Sequence, residues 1–309
     1  MCSGSSPSPR TRQGRPGRPV DRASPALWAG SFTRGVLLDE LTDCTVDLWF
    51  AQPEDWADPA AMAAALAVLG PEELARWENR RSPEDRRLFG VSHWLVRESL
   101  SRYEDRPPAA WRFLVNDHGK PRIDPAAGPS PLAFSLAHTR GLAVVAVAKR
   151  MDLGVDCERQ DRTVDAAKLI QRFYTLEERR ALEPLAPEVM THRFFLHWTL
   201  KEATLKALGT GLSPALSTIA FRLTGDGPSR IDPLGMAKEE NRWHWAVLTP
   251  LMPYVAAIGI LAAPGKTVTL RTCRALPWGK AEPLKGLPLA LSHGVVYGKG
   301  HEQARGKEA

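Results

Sequence analysis

LGVDCERQD, residues Leu153 to Asp161, follows an apolar run at Leu142 to Ala148 (LAVVAVA) and a turn at Lys149 to Asp152. The run reads as a core strand, and the chain resumes after the turn as a second one. Side chains two apart on a strand share a face. Asp156 and Glu158 are therefore neighbours, while Val155 and Cys157 face the other way. The strand has one apolar face and one acidic face. Two carboxylates that close raise each other's pKa unless a cation neutralises them. A solvated strand end also carries such acids, and this stretch alone leaves both readings open.

A second segment adds a third acid. The longest clear helix runs from about Glu188 to Leu208 (EVMTHRFFLHWTLKEATLKAL) and closes on Gly209 and Gly211. Phe195, Trp198, Glu202 and Lys206 fall on one stripe of it. Trp198 and Leu205 are residues of a core-facing kind, and a glutamate between them needs a partner. An i,i+4 pair with Lys206 would supply one. Asp156, Glu158 and Glu202 together form a different set: three carboxylates without His or Cys. Such hard oxygen donors suit Mg²⁺, with Mn²⁺ as the alternative, rather than zinc. Magnesium held by few protein oxygens completes its shell with water and substrate phosphate. Lys201, Lys206, Lys120, His138 and the arginines Arg80, Arg81, Arg86 and Arg87 are candidate cations for a phosphate. The arginine cluster also reads as a solvated helix face.

Composition bounds the rest. The chain has 309 residues, 43% apolar and 25% charged, enough for a sizeable core. No run of about eighteen apolar residues occurs, so no membrane span is expected. The net charge of +6 is uneven: Arg10, Arg12, Arg15, Arg18 and Arg22 against Asp21 place +4 of it in the first thirty residues. The basic pI therefore argues little for nucleic acid. The leader has no apolar h-region and is expected to be disordered rather than a secretory signal. Cys2, Cys44, Cys157 and Cys273 form no CxxC, which suits a reducing cytoplasm and argues against zinc and against a disulfide scaffold.

Structure is expected to begin near Thr45 with a short alternating strand to Phe50. Helices are expected at Ala57 to Leu69, from Pro71, and from a Ser82 N-cap to about Tyr103, with Leu88, Val91 and Leu95 as the last one's apolar stripe. A strand at Trp111 to Val115 leads to a turn over Asn116 to Pro121. Further helices are expected at Ala166 to Phe173 and Glu177 to Leu182, with strands at Ile219 to Leu223, Trp243 to Leu248 and Tyr254 to Ile260. Leu287 to Tyr297 could add one more. No internal repeat is evident by eye. The mixed order predicts an α+β class.

Four blocks, in order, resemble the surfactin-synthetase-activating type of 4′-phosphopantetheinyl transferase. They are Asn116-x-x-Gly119-Lys120-Pro121, Phe134 to Thr139, Gly154-Val155-Asp156-Cys157-Glu158, and Trp198-x-x-Lys201-Glu202-Ala203-x-x-Lys206. The resemblance covers about residues 45–275. It implies two similar α+β subdomains related by a pseudo-two-fold axis, here 43–150 and 151–275, with a leader at 1–42 and a tail at 276–309. The implied activity is that of a holo-[acyl-carrier-protein] synthase: transfer of 4′-phosphopantetheine from coenzyme A to a serine of an apo acyl, peptidyl or aryl carrier protein, releasing adenosine 3′,5′-bisphosphate. The protein would act as a cytoplasmic monomer without nucleic-acid or membrane partners. Asp156, Glu158 and Glu202 would hold Mg²⁺. Lys206 would contact the phosphates, as would Lys201, and Glu202 and Lys206 would be catalytic. Arg86, Lys120 and His138 match positions that hold the 3′-phosphoadenosine end. Glu178, or Glu177 one residue earlier, lies near a family glutamate proposed to help deprotonate the acceptor serine. The chain departs from the pattern at Ala137, where the family has serine. That departure makes a degenerate coenzyme A-binding member the alternative. A basic nucleic-acid-binding module is the alternative from another class.

Overall fold

Strand β1 (Thr45–Ala51) opens the first half, buried along its whole length. Three helices follow, α1 (Pro59–Leu66), α2 (Pro71–Glu78) and α3 (Pro83–Ser101), then a short hairpin, β2 (Phe113–Val115) and β3 (Pro121–Ile123), and the pair β4 (Leu132–Thr139) and β5 (Leu142–Lys149). The second half repeats the order: β6 (Asp152–Arg159), α4 (Ala166–Phe173), α5 (Leu176–Leu182), α6 (Pro187–Leu208), the hairpin β7 (Ala220–Thr224) and β8 (Ser229–Leu234), and the pair β9 (Trp243–Thr249) and β10 (Tyr254–Leu261). In one half β1 pairs antiparallel with β5, and β5 with β4. In the other β6 pairs antiparallel with β10, and β10 with β9. The repeat is one of topology, and it gives an α+β fold. This computed structural model describes residues 1, 37, 39, 41–210, 214–224, 229–234, 242–284 and 287–297. Most of the leader read as disordered, and the last twelve residues, lie outside the described residues.

The two sheets pack face to face. Val46, Leu48 and Phe50 of β1 and Val144, Ala146 and Ala148 of β5 share one buried cluster with Leu153, Val155 and Cys157 of β6 and Ile258 of β10. The opposite face of the first sheet, with Trp49 and Val145, meets Val91, Trp94 and Leu95 of α3. The opposite face of the second, with Val255 and Ala257, meets Phe195, Leu200 and Ala203 of α6. The layers run helix, sheet, sheet, helix. Both faces of each sheet are covered, which is why β5 reads as an unbroken apolar run rather than an alternation.

The helix ends follow local chemistry. Ser82 caps α3 by accepting from the Asp85 amide at 3.0 Å, with Pro83 at the first helical position. Gly209 ends α6 in the left-handed region at φ 69°.

Three expected boundaries are corrected. The strand β11 (Val268–Ala275), placed with the second half, pairs in parallel with β1 and closes that edge of the first sheet. The segment read as a tail contributes β12 (Ala281–Pro283), β13 (Leu287–Leu291) and β14 (Val295–Tyr297). Strand β13 lies between β9 and β8, and its register shifts between Pro288 and Ala290. That irregularity hides the period-2 pattern. Leu41, assigned to the leader, is fully buried in the first core.

The close approach that organises the second half is at Gly154. A Cβ there would lie 2.1 Å from the Ala203 carbonyl oxygen and 2.2 Å from the Ala207 amide nitrogen, both backbone atoms of α6. No rotamer change can relieve such a contact. Gly154→Ala should therefore cost at least ~2 kcal/mol of stability. Denaturant titration reads this directly, and an unchanged midpoint would refute the packing described.

Candidate active site

Because α6 lies against β6 at Gly154, the same face of β6 presents its next two outward residues, Asp156 and Glu158, beside the helix. Asp156 is 8% exposed and Glu202 7%. Lys206, one turn beyond Glu202, crosses to the strand and donates from Nζ to Asp156 Oδ1 at 2.8 Å. This settles the choice left open above, because Lys206 is bonded across to β6. Glu202 Oε1 and Asp156 Oδ2 are both buried without a hydrogen-bond partner. Glu158, at the outer end, accepts from Arg162 Nη2 at 2.9 Å.

The electrostatics follow from this crowding. Burial, and then the Asp156 charge, push Glu202 and Glu158 each up to about 7. Asp156 is itself raised by burial, with Lys206 opposing. Burial alone would lower the Lys206 ammonium, but the bonded Asp156 carboxylate outweighs it and holds the pKa above the usual lysine value. Three acids thus share two cations, Lys206 on Asp156 and Arg162 on Glu158, and Glu202 has no bonded cation of its own. Among the described residues no group of three or more His, Cys, Asp or Glu side chains stands ready as a metal cage. The donor chemistry nevertheless fits a hard divalent ion: oxygen donors only, two of them buried and unpartnered.

The other expected residues divide. His138, near the end of β4, is exposed, and burial of its ring and then the charges of Lys206, His93 and Arg80 lower its pKa. It lies within electrostatic reach of Lys206 on α6 and of His93 and Arg80 in its own half. Arg80 lies 4.9 Å over the Phe89 ring, which stands 4.1 Å from the His93 ring. His93 was missed by the sequence reading; as a histidine in a helix it carried no motif of its own. Arg86 instead folds back, donating to the Arg80 carbonyl at 2.8 Å and the Glu78 carbonyl at 3.3 Å. Lys120 donates to the Ala207 carbonyl at 2.9 Å, and Asn116 to the Gly209 carbonyl at 3.1 Å, so the β2–β3 turn caps the end of α6. Burial lowers the Lys120 pKa, and its charged neighbour is Asp152 rather than the His138 group. Ala137 points into the apolar layer between the sheets, 4% exposed.

Two expectations are corrected. Lys201 and Glu178 form a fully buried pair, Nζ to Oε2 at 2.6 Å, with both side chains 0% exposed. The remaining donor capacity of Lys201 goes to the Leu216 and Phe173 carbonyls. Glu178 Oε1 accepts from the Phe221 amide, and Oε2 also from Thr175. Neither side chain has an atom free for coenzyme A or an acceptor serine. Glu177 is exposed and paired with Arg222.

The chain is 32% identical over 218 residues to the 4′-phosphopantetheinyl transferase HetI of Nostoc sp., covering 70% of this chain and 87% of that one. The chain belongs to the 4′-phosphopantetheinyl transferase family. A family model described as the 4′-phosphopantetheinyl transferase superfamily matches residues 152–259. That span holds all three acids and Lys206. The Synechocystis sp. protein slr0495 is 32% identical over 62% of this chain and 78% of its own. The 4′-phosphopantetheinyl transferase Sfp of Bacillus subtilis is 25% identical over 54% and 72% respectively.

The raised acids make a signed prediction. Below pH 4.5, the ordinary glutamate value, Glu158 and Glu202 are protonated in both folded and unfolded chains. Between there and about 7 the unfolded chain releases protons that the folded chain keeps, so the metal-free protein loses stability as pH rises. Thermal unfolding in EDTA should show this fall, and Glu202→Gln should flatten it. Mg²⁺ should raise the midpoint more at pH 8 than at pH 5.5, because its ligands must be deprotonated. Equal Mg²⁺ shifts at both pH values would contradict the assignment.

Proposed function

We propose that this enzyme transfers the 4′-phosphopantetheinyl group of coenzyme A to a serine hydroxyl of an apo acyl, peptidyl or aryl carrier protein. The observation that carries the reading is the convergence of Asp156, Glu158, Glu202 and Lys206 where α6 crosses β6, with two buried carboxylate oxygens left unpartnered. In the reaction the serine oxygen attacks the β-phosphorus of coenzyme A. The phosphoanhydride bond breaks, adenosine 3′,5′-bisphosphate leaves, and the serine proton is released. Such transfers are catalysed mainly by positioning and charge neutralisation.

Asp156, Glu158 and Glu202 would hold Mg²⁺, which when bound supplies positive charge to the pyrophosphate. Lys206, kept protonated by Asp156, presents a fixed ammonium to the same phosphates. His138, its pKa lowered, offers a neutral imidazole hydrogen bond to the phosphoadenosine end. Arg80 and His93 add charge and a donor beside it. Ala137 places no hydroxyl there, but the metal-binding acids do not depend on that position. The two halves meet through a wide apolar layer between their sheets, which supports a self-sufficient monomer. The described cysteines are all free, in keeping with a cytoplasmic setting. No helix among the described residues is long and apolar enough to cross a membrane.

Intact-mass measurement of an apo carrier protein incubated with this chain, coenzyme A and Mg²⁺ should show the gain of one phosphopantetheinyl group, abolished by EDTA. Asp156→Ala and Glu202→Ala should each lower transfer by more than about a thousandfold while circular dichroism is unchanged. Full transfer by both variants would sink the assignment of the acids.

A further inference from the structure

The duplicated topology extends to individual residues. In α3 the chain reads His93-Trp94-x-x-Arg97-Glu98-x-x-x-Arg102, and in α6 His197-Trp198-x-x-Lys201-Glu202-x-x-x-Lys206. The strands match in register. Asp47 of β1 lies opposite Val147 of β5, as Asp156 of β6 lies opposite Ala257 of β10. Trp49 occupies the place of Glu158, opposite Val145 as Glu158 is opposite Val255.

The first half does not keep the three acids. The second acid has become Trp49, whose ring lies 4.7 Å under the Arg102 guanidinium. Asp47 accepts from Arg271 of β11 at 2.6 and 2.8 Å and from the Tyr103 hydroxyl at 2.6 Å. Asp47 is thus neutralised by an arginine of a neighbouring strand, where Asp156 is bonded by Lys206 of the helix.

A different feature is kept in both halves. Glu73, in the first turn of α2, accepts from the Gly70 amide at 2.8 Å and from Arg97 at 2.7 Å, and its other oxygen is paired with His93 Nδ1 at 2.8 Å. Glu178, in the first turn of α5, accepts from the Thr175 amide at 3.0 Å and from Lys201 at 2.6 Å. Each cation also reaches the chain beyond its own helix: Arg97 donates to the Pro108 and Trp111 carbonyls, and Lys201 to the Leu216 carbonyl. Each pair joins the same three parts: the start of the short helix, the middle of the long one, and the segment that follows. The device is kept in a half that retains Asp47 and Glu98 but has Trp49 in place of the other strand acid, so it does not depend on the complete set of three. We propose that Glu178 and Lys201 are positioning residues, a buried brace that fixes the roll of α6 and so aims the adjacent Glu202 at Asp156, rather than a base and a phosphate ligand.

The proposal rests on the transferase reading for its activity arm only. Its test compares Glu178→Leu, Lys201→Met, the double variant, and Lys201→Arg, which copies the first half. Removing one member of a buried ion pair strands the other, so each of the first two should lower the melting temperature by about 10 °C. The double variant, with both charges gone and volume kept, should return to within a few degrees of the parent. It should transfer phosphopantetheine within about tenfold of the parent, with the acid limb of its pH–rate profile in place, and Lys201→Arg should do the same. A double variant that folds like the parent but loses more than about a thousandfold in transfer, or loses the acid limb, would overturn the proposal and restore Glu178 as a base. Additive losses in stability would overturn it independently of activity. A parent that fails to transfer would refute the proposed function instead, and would leave the stability comparison readable.

Discussion

The second half of this protein depends on one contact, the backbone of α6 lying on the backbone of β6 at Gly154. Any side chain there would hold the helix off, because the facing atoms are a carbonyl oxygen and an amide nitrogen that cannot swing away. The close approach brings Glu202 and Lys206 within reach of Asp156, one strand repeat further on. The glycine opening the GxDxE block is thus a spacing device, and its absence from the matching place in β1, where Thr45 stands, belongs to a half that performs no such function. Helix packing and acid geometry are two consequences of the same missing side chain.

The acids so gathered are costly to hold. Burial raises all three, the Asp156 charge adds to it for Glu158 and Glu202, and Lys206 and Arg162 do not cancel the rise. The first half shows how the same framework settles when no ion is required: one acid is replaced by Trp49, and Asp47 is neutralised by Arg271 and bonded by Tyr103. The contrast separates a neutralised arrangement from one that holds three carboxylates together with two of their oxygens unpartnered, as the proposed ion site requires.

The legible part of the site lay in local patterns. Asp156 and Glu158 share a strand face, Glu202 and Lys206 a helix stripe, and α4 and α6 matched their expected spans almost to the residue because caps and breakers mark their ends. What could not be read was set by long-range pairing. β11 resembles any edge strand until β1 is seen to need a neighbour, and β13 is broken by a register shift at Pro288. Lys201 and Glu178 have the composition of functional residues, and only burial and a filled set of hydrogen bonds mark them as framework. The repeat itself escaped notice because the matched residues, His93 with His197 and Trp94 with Trp198, are sparse among positions that diverged.

The two halves contribute unequally to one proposed site. The acids and Lys206 come from β6 and α6, while His138 comes from β4, and Lys120 of the β2–β3 turn caps the helix that carries Glu202 and Lys206. The Ser135 hydroxyl, accepting from the Val155 amide at 3.1 Å, ties β4 to β6 beside this junction. The apolar layer between the sheets therefore does more than bury surface. It holds the β4 edge that carries His138 against the β6 and α6 edge that carries the acids, so the pyrophosphate and distal phosphate of the proposed substrate would be met from two halves of the chain.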